Sequence, residues 1–574
     1  MQPLTREEAL GTYPVFLLEV IWEGNSYKFS TFPVEIFTAA GGSLYFGGGL
    51  SDPELEEKME SMQADPESGS VALEAVFPVN LVQKYMQEGK TLDNATAQIS
   101  MVMEMNGYIV QNYEDRIKLF SGLVLQPIIG DPEQPVGYCA FSIERNPLNQ
   151  PRTVIPSTHR IQIGYTFATS PQPIGESSTG KAYPLCFGAP NQYPINEQVF
   201  VTPAYLYHRE RSSTFTTNPK ADIIRLLIAG HEVEASTVDV IDFAGNTDTF
   251  NVRTTTDLKG QVFSYIQIQP FSYDSSTATF TQLSPIVTPF MEGVETSSPK
   301  YFISWADGGG FSNPYGTGTM TGAGDIIRYM LSISGVLVDL ESWNNIAGFL
   351  NSYEFAGYIN DPEITAYEWL MTNILPYIPV EVVNGFNGLR GVVPLYYKST
   401  YIQPRISVEL GTGVYLLSPF EPVGEVDDII NRIEIKFAYN SVSEDYSTRY
   451  NLSSSLLPED YTYIDTNIEA ALLSFTRYGD RFSLEQCRHI YNFRTAAQVA
   501  MYLVRKNAFL KYQLQLQADI QYGYLDIGDV ISINSTDYYM EDLRVQIVSK
   551  RWSDNAWIFG VLLEDNVSMR QNRR

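Results

Sequence analysis

The chain has 574 residues, enough for about four domains that each bury a core. Its 38 Lys and Arg against 66 Asp and Glu give a net charge of −28, which argues against a protein that holds nucleic acid by releasing counterions from phosphates. Acidity favours solubility, and it would equally suit a wall past which DNA moves without being held.

Apolar residues make up 44% of the chain and aromatic residues 13%, while only 18% are charged. This composition is typical of β-rich proteins with broad amphipathic surfaces. The three cysteines, Cys139, Cys186 and Cys487, are odd in number and far apart, so we expect a reducing compartment and no disulfide framework. Residues 1–20 lack a basic segment followed by an apolar one, so we expect neither a signal peptide nor a membrane span.

The first part of the chain has a strand pattern. Residues 15–22 and 27–32 predict a hairpin, and residues 98–105 predict a further strand. The unit closes near Arg145. Residues 146–220 are rich in Pro, Ser, Thr and Gln and predict irregular structure with short strands, among which the apolar piece at 180–188 stands out.

The centre of the chain contains both strand-like and helix-like periodicity of apolar residues. Residues 223–228 fit either a strand or a buried helix, and residues 262–268 alternate as a strand does. Helical periodicity appears in residues 325–331. A second helix is predicted to begin at Asp361, which can cap it ahead of Pro362 and Glu363.

The last part carries the clearest pattern. A helix is predicted over 495–508, capped by Thr495 and ending in the cations Arg505 and Lys506. From residue 510 the period changes to two, which predicts a strand of about 11 residues spanning roughly 36 Å. One face of this strand is polar and comprises Lys511, Gln513, Gln515 and Gln517. Gly528 and Asp529 then predict a turn, and a final hairpin follows.

No pattern of catalytic chemistry stands out. The chain has neither H-E-x-x-H nor C-x-x-C, and its four histidines lack metal-ligand spacing: His159, His208, His231 and His489. A glycine-rich loop at 316–324 precedes a helix but lacks the Lys-Ser/Thr of a phosphate-binding loop. We therefore predict no catalytic residue, no cofactor and no metal.

Carboxylates beside tryptophans leave one enzymatic alternative open. Paired acids near aromatic rings suit glycan binding or cleavage. The candidates are Glu368 with Trp369, and Asp339 and Glu341 with Trp343. At these spacings the acids fit the surface of a helix or a loop more readily.

Several pieces taken together resemble the central tail-hub proteins of tailed bacteriophages, also called baseplate hub or tip attachment proteins. The strand DIINRIEIKF at 428–437, the segment SFTRYGDR at 474–481, the Ala-rich helix, the alternating strand and the Gly528-Asp529 turn follow one another in the family's order. Residues 324–335, the helix from Asp361 and residues 385–393 are similar to the middle hub domain. The N-terminal hairpin and the strand around Leu123 are similar to the first.

The resemblance implies a mainly β (α+β) fold of several small β-barrel or β-sandwich hub domains with a few packed helices. The expected division has four parts. They are a first β-barrel domain at 1–150, a β-rich inserted or second barrel region at 151–324, an α/β middle domain at 325–425, and a C-terminal β-barrel domain at 426–574 that includes helix 495–508.

The resemblance also implies a structural, non-enzymatic role in the virion. Such a protein is a homotrimer that closes the distal end of the tail tube, each subunit giving two similar barrels to a pseudo-sixfold ring. Its partners are the distal tail or tail-tube protein, the tape measure protein and tip or fibre proteins, and DNA passes through without specific binding. It is assembled in the host cytoplasm and resides at the virion tail tip.

In such a ring, Lys511, Gln513, Gln515 and Gln517 would meet a neighbouring subunit or the lumen. An ordinary solvated strand face explains the same residues. Two other functions remain open at this point, a carbohydrate-active tail component and an adhesin or tail-fibre module without a hub role.

Overall fold

The structure is a computed structural model. It describes residues 12–53, 55–58, 70–78, 83–84, 87–93, 95–129, 133, 138–144, 184–188, 201–210, 223–242, 245–256, 262–269, 271–274, 276–286, 301–305, 310–333, 338–361, 363–384, 390–395, 403–418, 421–423, 425–440, 444–452, 466–553 and 555–564. The sequence also predicts a short helix capped by Asn80 and a turn at Asn384-Gly385, and both Asn80 and Gly385 lie outside these residues.

The first unit is a curled sheet, which we call the N-terminal barrel. The strands before residue 145 are β1 Tyr13–Trp22, β2 Asn25–Ser30, β3 Val34–Phe37, β4 Ser43–Gly48, β5 Glu56–Lys58, β6 Ser70–Val76, β7 Thr96–Met105, β8 Tyr108–Ile109, β9 Ile117–Ile129 and β10 Tyr138–Glu144. The order in the sheet is β3-β4-β2-β1-β7-β9-β10-β6. The residues after β4 join β2 to β6, because the Leu50 N–H donates to the Ser30 carbonyl and the Val76 N–H donates to the Gly49 carbonyl.

The predicted N-terminal hairpin is confirmed. β1 and β2 pair from Leu17↔Ser30 to Trp22↔Asn25. The two turn residues between them, Glu23 and Gly24, have φ of 49° and 78°. Two positive φ values in a two-residue turn match the right-handed twist of the strands they join.

A second unit, the middle barrel, follows. Its region contains β11 Leu185–Phe187, β12 Val201–Glu210, β13 Ile223–Ala229, β14 Thr237–Ile241, β15 Thr247–Thr256, β16 Val262–Ile268, β17 Phe271–Asp274, β18 Thr279–Gln282 and β19 Tyr301–Ser304. Six strands close in the order β12-β13-β16-β15-β14-β19. The ambiguous residues 223–228 are a strand, and β13 is buried from Ile224 to Ala229 because it lies between β12 and β16 with apolar neighbours on both faces.

An α/β unit comes next. Its first elements are α1 Ala323–Ile333, α2 Leu340–Leu350, β20 Gly357–Ile359, α3 Ala366–Asn373, β21 Val380–Asn384 and β22 Arg390–Pro394. The predicted helix at 325–331 is confirmed as α1. The N-cap predicted for the helix near Asp361, which is α3, is wrong. Thr365 caps α3 by accepting a hydrogen bond from the Glu368 N–H at 3.1 Å. Asp361 accepts from the Glu363 N–H in a separate turn before the helix.

Some of the remaining elements belong to the α/β unit and the others to a C-terminal sheet, and the two sets alternate along the chain. They are β23 Ile406–Glu409, β24 Val414–Leu416, β25 Glu421–Val423, β26 Arg432–Asn440, β27 Asp445–Leu452, α4 Thr466–Tyr478, β28 Phe482–Gln486, α5 Phe493–Asn507, β29 Lys511–Ala518, β30 Val530–Ser535, β31 Met540–Ser553 and β32 Ala556–Glu564. β26 to β28, α4 and α5 pack with the α/β unit. The others form a sheet in the order β23-β30-β31-β32-β29-β24. A bridge between Leu410 and Val414 joins its two end strands, and we call it the C-terminal barrel.

The N-terminal and C-terminal barrels share one hydrophobic core. Phe16 of β1 meets Trp552 of β31 with ring centroids 5.6 Å apart. β5 leaves the N-terminal barrel and pairs with β31, and the Trp552 N–H donates to the Leu55 carbonyl at 3.0 Å. The two barrels are therefore a single packed body.

Strand β11 connects the middle barrel to the α/β unit. Cys186 lies in the core of the middle barrel, while Leu185 and Phe187 on either side of it lie in the α/β core. β11 pairs with β20, from Leu185↔Ile359 to Phe187↔Gly357. The mainly β fold is confirmed. The division at residues 150, 324 and 425 stays a prediction, since cores in this chain are assembled from separated segments.

Candidate subunit interface

Helix α5 positions the predicted interface strand, and its cap differs from the prediction. Asn492, and not Thr495, is the N-cap: its side chain accepts from the N–H groups of Arg494 at 2.7 Å and Thr495 at 3.4 Å. Thr495 is fully buried, and its hydroxyl oxygen accepts from the Glu354 N–H at 3.0 Å. The sequence signal was an Asn three residues before Thr495, a strong capping residue in its own right.

Strand β29 is shorter than predicted. Extended structure ends at Ala518, and a 3₁₀ turn at Ile520–Tyr524 follows. The predicted alternation itself is confirmed, because Leu514, Leu516 and Ala518 are each about 1% exposed. The Asp519 N–H still donates to the Gly413 carbonyl in register with the Val414↔Ala518 pair, and the extended backbone ends where the 3₁₀ turn begins.

Buried Lys550 holds the turn after β29. Its ammonium donates to the carbonyl oxygens of Gly523 and Leu525, both at 2.8 Å, and lies 4.6 Å from the centroid of the Trp557 ring. Lys550 is only 3% exposed. Sequence reasoning missed it, although its position between Val548 and Trp552 in a period-two pattern placed a cation on a buried face.

The four predicted interface residues lie on one face of β29 and are all half-buried: Lys511, Gln513, Gln515 and Gln517. β29 has paired neighbours on both edges, β32 on one and β24 with β25 on the other. Its backbone is thus occupied by its own sheet, and only side-chain tips can reach another molecule.

Part of this polar face packs on its own sheet. Gly560 lies opposite Gln515, and a Cβ at Gly560 would lie 2.9 Å from the Gln513 amide nitrogen. Tyr415 pairs with Gln517 across the β24 edge and is 42% exposed, and Leu417 beside it is 46% exposed. The face therefore combines amide groups with exposed apolar area. Its contact with a neighbour or a lumen stays a prediction.

The predicted turn at Gly528 and Asp529 has clear local causes. Gly528 has φ +90°, and a Cβ there would lie 2.6 Å from Val393 of the β21–β22 hairpin. Asp529 accepts from the Asp526 N–H at 2.8 Å and from the Arg405 guanidinium at 2.5 Å. Burial raises the pKa of Asp529 above its usual value. This turn fixes the α/β unit against the C-terminal barrel.

The two histidines with described side chains are packing residues. Burial lowers the pKa of His231 to about 4 and that of His489 to about 3. The Nε2 atom of His231 accepts from the Cys186 N–H at 2.8 Å, and the His489 ring lies against Phe187 and Trp369. Among the described residues, no group of three or more His, Cys, Asp or Glu is placed to hold a metal ion. His159 and the side chain of His208 lie outside what the structure describes.

The glycine-rich loop before α1 is filled by protein. The Asn351 side-chain oxygen accepts from the Asp325 N–H at 3.1 Å, and a Cβ at Gly324 would lie 2.9 Å from it. Asp325 in turn accepts from the Asn313 amide at 2.8 Å. An amide oxygen and a carboxylate thus occupy the place where a phosphate would bind.

The two candidate glycan sites do not assemble. Trp369 is 3% exposed and Trp343 is 1% exposed, so neither ring offers a face to a sugar. Asp339 is the N-cap of α2 and accepts from the Glu341 N–H. Glu368 is an exposed residue in the first turn of α3. These acids serve helix surfaces, the other role their sequence context allowed.

Among the described residues, no helix has both the length and the apolar character needed to cross a membrane.

No protein-family model matches the chain, and no curated protein matches it. Solved structures similar to the chain include a tail protein from Neisseria meningitidis MC58, with TM-score 0.37, 7% identity, and coverage of 96% of this chain and 98% of the other. The 43 kDa tail protein of prophage MuSo2 from Shewanella oneidensis has TM-score 0.33, 9% identity, and coverage of 96% and 97%. Prophage tail protein gp18 from Listeria monocytogenes EGD-e has TM-score 0.25, 10% identity, and coverage of 68% and 98%. All three are named as tail proteins, two of them from prophages, and at these TM-scores the likeness carries no further argument.

Proposed function

We propose that this chain is the subunit of a trimeric hub that closes the distal end of a phage tail tube. One observation carries the proposal: a single chain contains two curled barrels that share one core. The closing path has six strands in each, β2-β1-β7-β9-β10-β6 in the N-terminal barrel and β23-β30-β31-β32-β29-β24 in the C-terminal barrel. Three copies would place six barrels around one axis.

A fixed relation between the two barrels is what such a ring requires. Adjacent ring positions must be held at a constant angle, and closed symmetry repeats the same contact around the axis. The Phe16–Trp552 contact and the β5–β31 pairing hold the two barrels together within a subunit. The hub would thus present pseudo-sixfold symmetry to a hexameric tube on one side and threefold symmetry to the tip on the other.

The proposed mechanism is mechanical and needs no catalytic residue. The hub would bind the distal tail or tail-tube protein, the tape measure protein and tip or fibre proteins, and would open to let DNA pass during infection. A net charge of −28 supports a channel that does not retain DNA, since like charge repels phosphates. In this arrangement the protein is assembled in the host cytoplasm and resides at the tail tip of the virion.

The polar face of β29 would lie at a contact between subunits or in the lumen. Lys511, Gln513, Gln515 and Gln517 are half-buried before any partner is present, and exposed Tyr415 lies beside Gln517. Amides and aromatic rings together suit a contact that excludes water only in part.

The test is a mass measurement and a cryo-EM reconstruction of the purified protein. The expected result is three copies in a ring with threefold symmetry, an acidic lumen wide enough for duplex DNA, and the four β29 residues at a contact or facing the lumen. A stable monomer at micromolar concentration would contradict the hub. A threefold ring with β29 on its outer surface would leave the hub standing and refute the placement of these four residues.

A further inference from the structure

A projecting aromatic turn lies at the tip of the β30–β31 hairpin. Tyr539 is 94% exposed and Tyr538 is 51% exposed. Tyr539 has φ 52°, a left-handed conformation that non-glycine residues adopt at a cost. The turn is nevertheless held in place, since the Tyr538 N–H donates to the Ser535 hydroxyl oxygen at 3.3 Å and the Tyr539 N–H donates to the Thr536 carbonyl at 3.4 Å. We call Asp537, Tyr538 and Tyr539 the tyrosine knob.

A matching depression lies in the wall of the N-terminal barrel. β2 and β4 pair only at Phe29↔Gly47 and Ser30↔Gly48, so the wall opens beyond Phe29. The opening is a cleft of about 520 Å³ between β2, β4 and the end of β6. Its lining includes Ser26, Lys28, Tyr45, Gly47, Val76 and Phe77. We call it the seam cleft.

The seam cleft has the surface chemistry that an aromatic side chain needs. Phe77 is part of the barrel core, while Tyr45 is 66% exposed and Val76 is 36% exposed at the opening. Gly47 leaves the cleft unobstructed, because a Cβ there would meet only the Lys28 carbonyl oxygen, at 3.8 Å. Large aromatic side chains bury roughly 150–250 Å² each, so two tyrosines entering such a cleft contribute a substantial contact.

The knob and the cleft can form one ionic hydrogen bond. The Lys28 ammonium lines the cleft, 3.0 Å from the Glu19 carboxylate and 2.9 Å from the Ser26 hydroxyl. The knob carries the carboxylate of Asp537 next to its two rings. Glu19 and Ser26 use two of the three N–H donors of the ammonium, and the third can donate to the carboxylate of Asp537.

We propose that the tyrosine knob of one copy occupies the seam cleft of the next copy. The knob belongs to the C-terminal barrel and the cleft to the N-terminal barrel of the same chain, and the shared core fixes their separation. A contact between two different patches of identical chains is heterologous, and it closes into a ring when the rotation permits. This inference rests on the proposed hub and identifies the contact that would close its ring.

The first test removes the knob from the full-length chain. Replacing both rings, Tyr538→Ser with Tyr539→Ser, is expected to raise the dissociation constant of the trimer at least tenfold, measured by analytical ultracentrifugation. Tyr108→Ser is the matched control, because Tyr108 is 77% exposed at another hairpin of the same protein. The control is expected to assemble like the parent. At a dilution at which the chains are monomeric, the thermal melting temperature should not change in either variant, since exposed side chains contribute little to stability.

The second test locates the contact directly. Gly47→Cys and Tyr539→Cys are made in separate chains, which are mixed and treated with a short bis-maleimide. A covalent dimer joining the two variants is expected, with little reaction between copies of one variant, because the native Cys139, Cys186 and Cys487 are buried. Lys28→Glu and Asp537→Lys should each weaken assembly, and the doubly changed chain should recover it.

The outcomes separate this inference from the hub itself. A wild-type chain that stays monomeric overturns both. A wild-type trimer whose assembly is unaltered by loss of the knob, and whose mixed cysteine variants do not cross-link, overturns only the knob-and-cleft contact. Weakened assembly with a cross-link and with recovery in the charge-exchanged chain supports the contact.

Discussion

Phe16 and Trp552, which are separated by almost the whole chain, meet edge to face with ring centroids 5.6 Å apart. Trp552 also meets Trp557 at 4.8 Å, so the three rings form a continuous aromatic contact across the boundary between the two barrels. The proposed ring depends on this boundary being rigid.

Phe16→Ala is expected to lower the free energy of unfolding by about 3–5 kcal/mol, because the ring is 1% exposed and its loss leaves a cavity in the shared core. Chemical denaturation monitored by tryptophan fluorescence measures this. The matched control is Phe37→Ala, whose ring is 62% exposed, and it should change stability by less than about 0.5 kcal/mol. Equal effects of the two substitutions would mean that Phe16 does not hold the barrels together.

Lys550→Met is expected to destabilise the protein by about 1–3 kcal/mol, since it leaves the Gly523 and Leu525 carbonyl oxygens without their donor. Hydrogen exchange should show a loss of amide protection first in the turn at Ile520–Tyr524. Arg449→Met is the control, because its side chain is 60% exposed in a surface ion pair with Glu434; such pairs contribute about 0–1 kcal/mol. Unchanged protection of the turn in Lys550→Met would refute the anchoring role.

Substitution of two glycines that have the same φ can distinguish the cost of backbone strain from the cost of a steric clash. Gly528 and Gly411 both have φ +90°, but a Cβ at Gly411 meets nothing within 4 Å while one at Gly528 would lie 2.6 Å from Val393. Gly411→Ala should cost about 1–2 kcal/mol from the left-handed backbone alone. Gly528→Ala should cost a further 1–3 kcal/mol or so from overpacking. If thermal unfolding shows that the two variants lose equal amounts of stability, the β21–β22 hairpin moves away from the added methyl group at no energetic cost.

Stability is expected to fall as the pH is lowered below about 6.5, because His489 and His231 are buried as neutral rings. Burial holds the pKa of His489 near 3 and that of His231 near 4, both below the usual 6.5. The unfolded chain therefore takes up protons first, and each histidine contributes a slope of about 1.4 kcal/mol per pH unit until its folded pKa is reached. The contribution is complete above pH 6.5 and is lost progressively below it.

The measurement is urea unfolding of the parent and of His489→Gln between pH 7 and pH 4. The parent should lose more stability than the variant over this interval, by about 1.4 kcal/mol for each pH unit below 6.5. Parallel pH profiles would show that His489 takes up its proton equally well in the folded chain.

The sequence predicted local patterns well and long-range packing poorly. The N-terminal hairpin, helix α1 and the alternation of β29 follow from periodicity and turn residues, and all three are confirmed. The extra length expected for β29 was wrong because the chain enters a 3₁₀ turn at Ile520–Tyr524, which is held by the distant Lys550 that no local pattern around β29 reveals.

Tertiary packing between distant segments also explains the errors in the predicted helix caps and candidate sites. Thr495 satisfies the local rule for a cap, but the structure uses its hydroxyl to bind Glu354. Trp343 and Trp369 stand beside carboxylates in the sequence, but tertiary packing buries both rings. The sequence did not single out Tyr538 and Tyr539, because their role in the proposed contact depends on their exposure and on the distant seam cleft.

The pairing of β5 with β31 also constrains the order in which a nascent chain can fold. Glu56 pairs with Arg551, so the N-terminal barrel emerges from the ribosome long before the strand that completes its neighbour. Domains generally fold as they are synthesised, and contacts between distant segments form slowly. The joined pair of barrels is thus complete only after β31 has been synthesised, almost 500 residues after β5.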